Sequence, residues 1–311
     1  MTDEKLNKLE QKLHDYQGED RMVSSVEFAE MIASLPKPVI IHSGFPTLDG
    51  VLNGFEGGEL VVVSGPTNHG KTTLLMSILV NMSANGQKSS FFTLENSPRS
   101  FVEKVSRNGV PPLFYLPMKN EDNQIEWLVE KIVEGCVKFD TRVVFIDHLH
   151  QIFSMEKMKG NLSLEIGDVV AKLKQIAVQY GIVIFLVAHC TDNKMSAKYE
   201  PGIRDIRDSG MISRLADTVL GVWRVNKAET KEQLFDEKVA EQDRGDGNGF
   251  YNKVAIWKSR REGKWGTFFC EHDNHQFREL DLEKLPKDKL SKVFPDTKLP
   301  AKRKSDDQLG F

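Results

Sequence analysis

The sequence is poor in cysteine, in long apolar runs and in net charge, and each shortage excludes a class of protein. Three cysteines occur in 311 residues, Cys136, Cys190 and Cys270, an odd number in apolar or mixed surroundings. That excludes a disulfide-stapled scaffold and points to reduced thiols in the cytoplasm. No stretch reaches the about 18 consecutive apolar residues that a membrane helix needs. The amino-terminal MTDEKLNKLEQKLHDYQ is charged from its start, unlike a secretory or transit signal. The expectation is a cytoplasmic protein with no membrane partner. Lys and Arg number 42 against 45 Asp and Glu, a formal charge of −3. Any grip on nucleic acid must then come from local groups, not from a broad basic face. What is present, 40% hydrophobic and 28% charged residues, suits a globular chain able to bury a core.

Residues 1–35 read as a helical arm. Leu6, Leu9 and Leu13 recur at helical spacing, and Phe28, Met31, Ile32 and Leu35 follow a capping box from Ser24 to Glu27. Both stripes are narrow, which suits packing on the parent domain or docking on a neighbouring subunit. From about residue 36 to 285 the pattern changes to short apolar runs, each followed by a loop and a helical stretch. The runs are 59–65, 89–95, 142–148, 181–189 and 217–223, with helices over 71–84, 123–137 and 162–180. Continuous Val/Ile/Leu/Phe runs alternating with helices predict an α/β domain, its mainly parallel, twisted sheet covered by helices on both faces. Asn85-Gly86 is a helix stop signal. Residues 226–249 form a polar surface insertion, strands at 252–259 and 266–272 form a terminal β-hairpin, and 286–311 is a Lys/Asp/Pro-rich tail expected to be disordered. The domain boundaries are thus 1–35, 36–285 and 286–311.

Gly65-Pro66-Thr67-Asn68-His69-Gly70-Lys71-Thr72 fits G-x-x-x-x-G-K-[ST] between an apolar strand and a helix, as a phosphate-binding loop requires. The two glycines let backbone N–H groups face a triphosphate, and the helix that begins at Lys71 adds its positive end. Lys71 reaches the β- and γ-phosphates and Thr72 offers its hydroxyl to Mg²⁺, with Thr73 completing the nucleotide-binding set. Three further strand ends carry polar groups. Asp147 closes RVVFID, where a carboxylate completes a Mg²⁺ shell; Glu95 closes SSFFTLE, where it can position an attacking water; His189 follows GIVIFLVA, where it can sense the γ-phosphate.

The order phosphate loop, Glu, Asp, His is followed by Asp205-Ile206-Arg207-Asp208-Ser209-Gly210-Met211-Ile212-Ser213-Arg214-Leu215-Ala216-Asp217. That stretch resembles the D-[LI]-R-x-S-G-x-[IL]-x-x-x-[AS]-D motif of hexameric replicative DNA helicases of the DnaB type, including the helicase halves of phage primase-helicases and Twinkle. The resemblance covers Ser43 to Leu280 and implies a RecA-like core that forms a ring, translocates on single-stranded DNA and unwinds duplex by hydrolysing ATP or dTTP with Mg²⁺. It implies DNA contacts at Arg207, Ser209, Gly210, Asn193 and Lys194. Lys258-Ser259-Arg260 is similar to the family's Lys-x-Arg, an arginine finger with its companion, both reaching the adjacent subunit's nucleotide; Arg261 offers a second choice one position on. Arg224 matches a family arginine that contacts nucleotide. Arg214 stands where the family has Gln. The family's collar or primase domain has no counterpart before residue 36, so ring assembly is expected to rest on the 1–35 arm and the core surface.

The implied partners are single-stranded and forked DNA, further copies of the chain in a hexameric ring, and a primase, polymerase or single-strand-binding protein. Two other readings share these residues: a RecA-like DNA-dependent ATPase of recombination that does not unwind, and a KaiC-like regulatory ATPase indifferent to DNA. Cys270-x-His272-x-x-His275 has metal-like residue types at spacing that instead suits a core hairpin. The tip Ser305-Asp306-Asp307-Gln308-Leu309-Gly310-Phe311 reads as a solubilising tail or a docking peptide.

Overall fold

A computed structural model describes residues 3–18, 21–35, 37–94, 97–106, 110–119, 125–148, 162–190, 200–207, 209–226, 250–273 and 275–280. The polar stretch at 227–249 and the tail from 281 onward lie outside them. The chain divides into two compact units, Met1–Pro38 and Val39–Phe311. The first holds helices α1 (Asp3–His14) and α2 (Ser25–Ser34), neither with a buried residue. Ser24 Oγ accepts the N–H of Glu27 at 3.1 Å, the cap that its position predicts.

The second unit runs β1 (Ile40–Ile41), α3 (Pro46–Leu52), β2 (Phe55–Glu56), β3 (Leu60–Gly65), α4 (Lys71–Ala84), β4 (Ser89–Thr93), α5 (Pro98–Val105), α6 (Ile125–Phe139), β5 (Val143–Asp147), α7 (Leu162–Tyr180), β6 (Val183–His189), α8 (Ser209–Leu215), β7 (Thr218–Asn226), β8 (Phe250–Ser259), β9 (Gly266–Asp273) and β10 (Gln276–Glu279). Strands β1 and β2 pair separately; the others form one sheet in the order β10-β9-β8-β7-β3-β6-β5-β4. Strands β7, β3, β6, β5 and β4 are parallel, and β8, β9 and β10 extend the sheet antiparallel from β7.

The apolar runs are continuous because both faces are covered. On β3, Val61 and Val63 join a core with Leu74, Ile78 and Phe91, whereas Leu60 and Val62 join a second core with Ile166, Leu173 and Ile212. All four β3 side chains are wholly buried, each stabilising the fold by roughly 1.5–3 kcal/mol relative to exposure. The predicted 252–259 and 266–272 strands do form a hairpin, but β10 adds a strand that a four-residue segment cannot announce by periodicity. Helix α4 ends where Asn85-Gly86 says it should: Gly86 takes a φ of +75° and Gln87 N donates to Met82 O at 2.9 Å.

Glu279, at the end of β10, accepts from Thr47 N and Oγ1 at the start of α3. Burial pushes its carboxyl up to about 7, against the pull of the Thr47 hydrogen bonds. A raised carboxyl favours the folded state fully below its unfolded value near 4.5, and the advantage is lost as pH rises toward 7. Unfolding free energy is therefore expected to fall by at most about 3 kcal/mol over that window. Denaturant titrations at pH 5 and 7.5 check this: Glu279→Gln flattens the difference, and an unchanged difference assigns it to other groups.

Candidate nucleotide site

Because β3, β5 and β6 are parallel, their carboxyl ends share one edge. Gly65 lies in register with His189, and Thr93 with Asp147. The loop from Gly65 to Gly70 turns over this edge into α4. Gly70 caps α4 with a φ of +94°, and a Cβ there would lie 2.5 Å from the Phe277 ring. A Cβ on Gly65 would lie 2.0 Å from the Val222 carbonyl oxygen, so β7 packs against the loop's first residue with no room for a side chain. Lys71 is buried, and its Nζ donates to the carbonyls of Gly65 at 3.0 Å and Pro66 at 2.9 Å, which curls the loop around the ammonium.

Thr72 Oγ1 lies 3.0 Å from both oxygens of Asp147, itself wholly buried. A hydroxyl and a carboxylate side by side suit a hard cation that takes its remaining oxygens from phosphate and water, as Mg²⁺ does. Among the described residues no group of three or more His, Cys, Asp or Glu side chains gathers to hold a metal by itself. Next in sequence, His148 has a φ of +73° and is buried. Its Nδ1 lies 2.9 Å from His189 Nε2, and its Nε2 lies 3.4 Å from Asp147 Oδ1.

The antiparallel strands wall the loop from the other side. Asn252 Nδ2 of β8 donates to His69 O at 2.8 Å, and the Arg224 backbone N–H of β7 donates to His69 Nδ1 at 3.2 Å. Burial first, then the positive charges of Arg224 and Lys71, push the His69 imidazole below its ordinary pKa. A neutral ring fits the acceptor role of Nδ1. A cavity of about 540 Å³ opens above the loop, lined by Thr67, Asn68, Gly70, Lys71, Thr72 and Thr73, by Phe101 and Lys104 of α5, by His148, His189, Arg224 and Asn252, and by His272, His275 and Phe277. Its size matches a nucleotide, and the cationic side chains of Lys71, Lys104 and Arg224 face it. Cys270, near these histidines in sequence, is fully buried in β9, and burial drives its thiol pKa well up.

The predicted finger residues sit at the opposite, amino edge of the sheet. Arg260 Nη1 is 2.9 Å from Asp217 Oδ1, its Nη2 donates to Arg214 O at 2.6 Å, and half of its side chain is exposed. Asp217 also accepts from Lys174 Nζ at 2.6 Å and from Leu60 N at 2.8 Å. Lys258 Nζ donates to Ser213 O and Ala216 O at the end of α8, and burial lowers its pKa. Arg261 is held more fully, by Glu56 at 2.7 Å, Glu59 at 2.9 Å and the carbonyls of Leu52 and Gly54.

Arg207 is exposed, yet its backbone N–H donates to His189 O at 2.8 Å, and Cys190 bridges to Ile206. The segment predicted to hold DNA is thereby tied to the end of β6. Ser209 and Gly210 open α8, with Gly210 exposed. Glu95, Asn193 and Lys194 lie outside the described residues. The structure thus brings Lys71, Thr72, His189 and Arg224 to one cavity, with Asp147 accepting from Thr72, and sets Lys258 and Arg260 apart from it. Sequence reasoning missed His148, Asn252 and Phe277 in the cavity wall. Only the adjacency of His148 to Asp147 signals any of them.

The chain is similar to the replicative DNA helicase DnaB of Mycoplasma pneumoniae, at 28% identity over 276 residues, 76% of this chain and 56% of that one. It therefore spans about half the length of that relative. Its fold is similar to that of a solved DnaB-like replicative helicase, described with its interactions with primase, with a TM-score of 0.61, 16% identity and coverage of 89% of this chain and 71% of that one. A solved KaiC-like protein from the hyperthermophilic archaeon Pyrococcus horikoshii gives a TM-score of 0.55 at 17% identity, covering 78% of this chain and 100% of that one. These likenesses bear out the RecA-like α/β fold. Residues 41–109 and 118–279 match the DnaB-like helicase C terminal domain, most of the chain, and the protein belongs to that family.

Proposed function

We propose that this chain is the motor of a replicative DNA helicase, a Mg²⁺-dependent NTPase that assembles into a ring, a hexamer by family analogy, and moves along single-stranded DNA to open duplex. The observation that carries this reading is the convergence of Lys71, Thr72, Asp147 and His189 on one sheet edge, with Arg207 hydrogen-bonded through its backbone to His189. A change at the γ-phosphate thus has a route of one hydrogen bond to the segment that grips DNA.

In this reading Lys71 and the loop N–H groups bind the β- and γ-phosphates of ATP or dTTP, and Thr72 with Asp147 would hold Mg²⁺, which would supply neutralisation of the phosphate charge. Glu95 positions the water that attacks the γ-phosphorus as the bond to the β-phosphate oxygen breaks, leaving the diphosphate and inorganic phosphate. His189 senses the γ-phosphate, and Arg224 contacts the nucleotide. Arg260, with Lys258, serves the neighbouring subunit's site, and the four partners that hold Arg261 favour Arg260 as the finger. Arg207, Ser209, Gly210, Asn193 and Lys194 contact the strand. Primase, polymerase and single-strand-binding protein are the proposed protein partners, primase by analogy with the solved helicase described with it. No helix among the described residues is long and apolar enough to cross a membrane, and the cytoplasm, of a bacterial host for a phage or plasmid product, is the proposed compartment.

The test is hydrolysis with and without single-stranded DNA across a salt series. Single strands stimulate the wild type, and Arg207→Ala weakens the stimulation and lowers the salt slope of DNA binding by about one. Hydrolysis indifferent to DNA supports the regulatory ATPase reading instead.

A further inference from the structure

We propose that His148 is a positioning residue for hydrolysis: it fixes the ring of the γ-phosphate sensor His189 and ties that ring to the Mg²⁺ carboxylate Asp147. The inference rests on the functional reading above. Three observations carry it. His148 Nδ1 lies 2.9 Å from His189 Nε2, with the two rings stacked at 4.8 Å between centroids. Its other nitrogen, Nε2, lies 3.4 Å from Asp147 Oδ1. The residue also holds a left-handed backbone, φ +73°, while buried at the carboxyl end of β5.

The chemistry follows from what each group can accept. An ionised carboxylate only accepts, so the proton of His148 belongs on Nε2, facing Asp147. Nδ1 then shares one hydrogen bond with His189 Nε2, and its direction is set by the tautomers of the pair. That one bond couples the tautomer of His189 to that of His148 and, with the stacking, sets its ring plane, as outer partners do for histidines in metal and catalytic sites. A left-handed conformation is strained for a non-glycine residue. It holds the ring within reach of both Asp147 and His189, and such strain persists where surrounding structure imposes it.

The test uses the full chain with Mg²⁺ and ATP. Glycine accepts the left-handed backbone and deletes the ring, so His148→Gly separates loss of the contact from misfolding. Its kcat is expected to fall about 10- to 100-fold with KM for ATP little changed. His148→Asn, which tolerates the same backbone and places an amide where Nδ1 stood, restores most of the loss. If His148 acts through His189, His148→Gly adds nothing in a His189→Ala background. Wild-type kcat in His148→Gly, an effect confined to KM, or losses that multiply in the double variant would each overturn the assignment. A wild type that hydrolyses no nucleotide overturns the functional reading first, and this inference with it.

Discussion

Lys71→Ala is expected to abolish nucleotide hydrolysis, lowering kcat by at least about 10²–10³-fold, the scale of removing one preorganised charge or donor from a reacting centre. Lys71 Nζ is buried at the start of α4 and held by two carbonyls of its own loop, Gly65 and Pro66. The ammonium therefore has a fixed place beside the loop N–H groups before any phosphate arrives, and little reorganisation is left to the reaction. Alanine removes the charge and also leaves both carbonyls without this donor. The variant is expected to bind nucleotide more weakly as well, and a loss confined to binding, with kcat intact at saturation, would contradict this role. Steady-state hydrolysis over a range of ATP concentrations measures both.

Arg260→Ala is expected to lower kcat by about 10³-fold or more while nucleotide binding persists, as for a finger that stabilises charge on the transferring phosphoryl group. Strand length leaves a finger at Arg260 only a neighbouring subunit's site to serve. Arg260 is tied to Asp217 at the amino edge, whereas Lys71, Asp147 and His189 lie at the carboxyl edge. The six residues of Leu60–Gly65 separate the two edges, about 20 Å at strand rise. An arginine cannot reach its own subunit's phosphates across that span. A mixing experiment separates trans from cis action. Arg260→Ala keeps its phosphate loop and Lys71→Ala keeps its finger, so mixed rings of two inactive variants rebuild competent interfaces, up to about a quarter in a random equal mixture. Recovered hydrolysis supports a finger in trans; no recovery contradicts it. The structural share of the mutation is small, about 1 kcal/mol for a half-exposed ion pair, because Asp217 keeps Lys174 and the Leu60 N–H. Thermal unfolding of Arg260→Ala checks that share.

The fold was legible where the chain repeats itself. Strands β3, β5 and β6 are buried on both faces, so their apolar runs are unbroken, and α4 ends at a stop that needs only Asn85-Gly86. The phosphate loop was legible because its chemistry demands particular residues at fixed spacing. What escaped was contact across the sheet. The hydrogen bond between His148 and His189 spans 41 positions and exists only because β5 and β6 are neighbours. Asn252 and Phe277 reach the loop only because β8 to β10 extend the same sheet past β7. The link between Arg260 and Asp217 depends in the same way on β7 pairing with β8. Short segments were equally hidden: α3, α5 and α8 run seven or eight residues, too few turns for a periodic stripe.

The central claim is that hydrolysis at the β3–β5–β6 edge drives movement along one DNA strand. Its most direct test is strand release from a forked duplex by the purified chain with Mg²⁺ and ATP, run beside Lys71→Ala and beside a blunt duplex. Release from the fork alone, absent in Lys71→Ala, is the predicted result. Hydrolysis stimulated by single strands without release from the fork would contradict it.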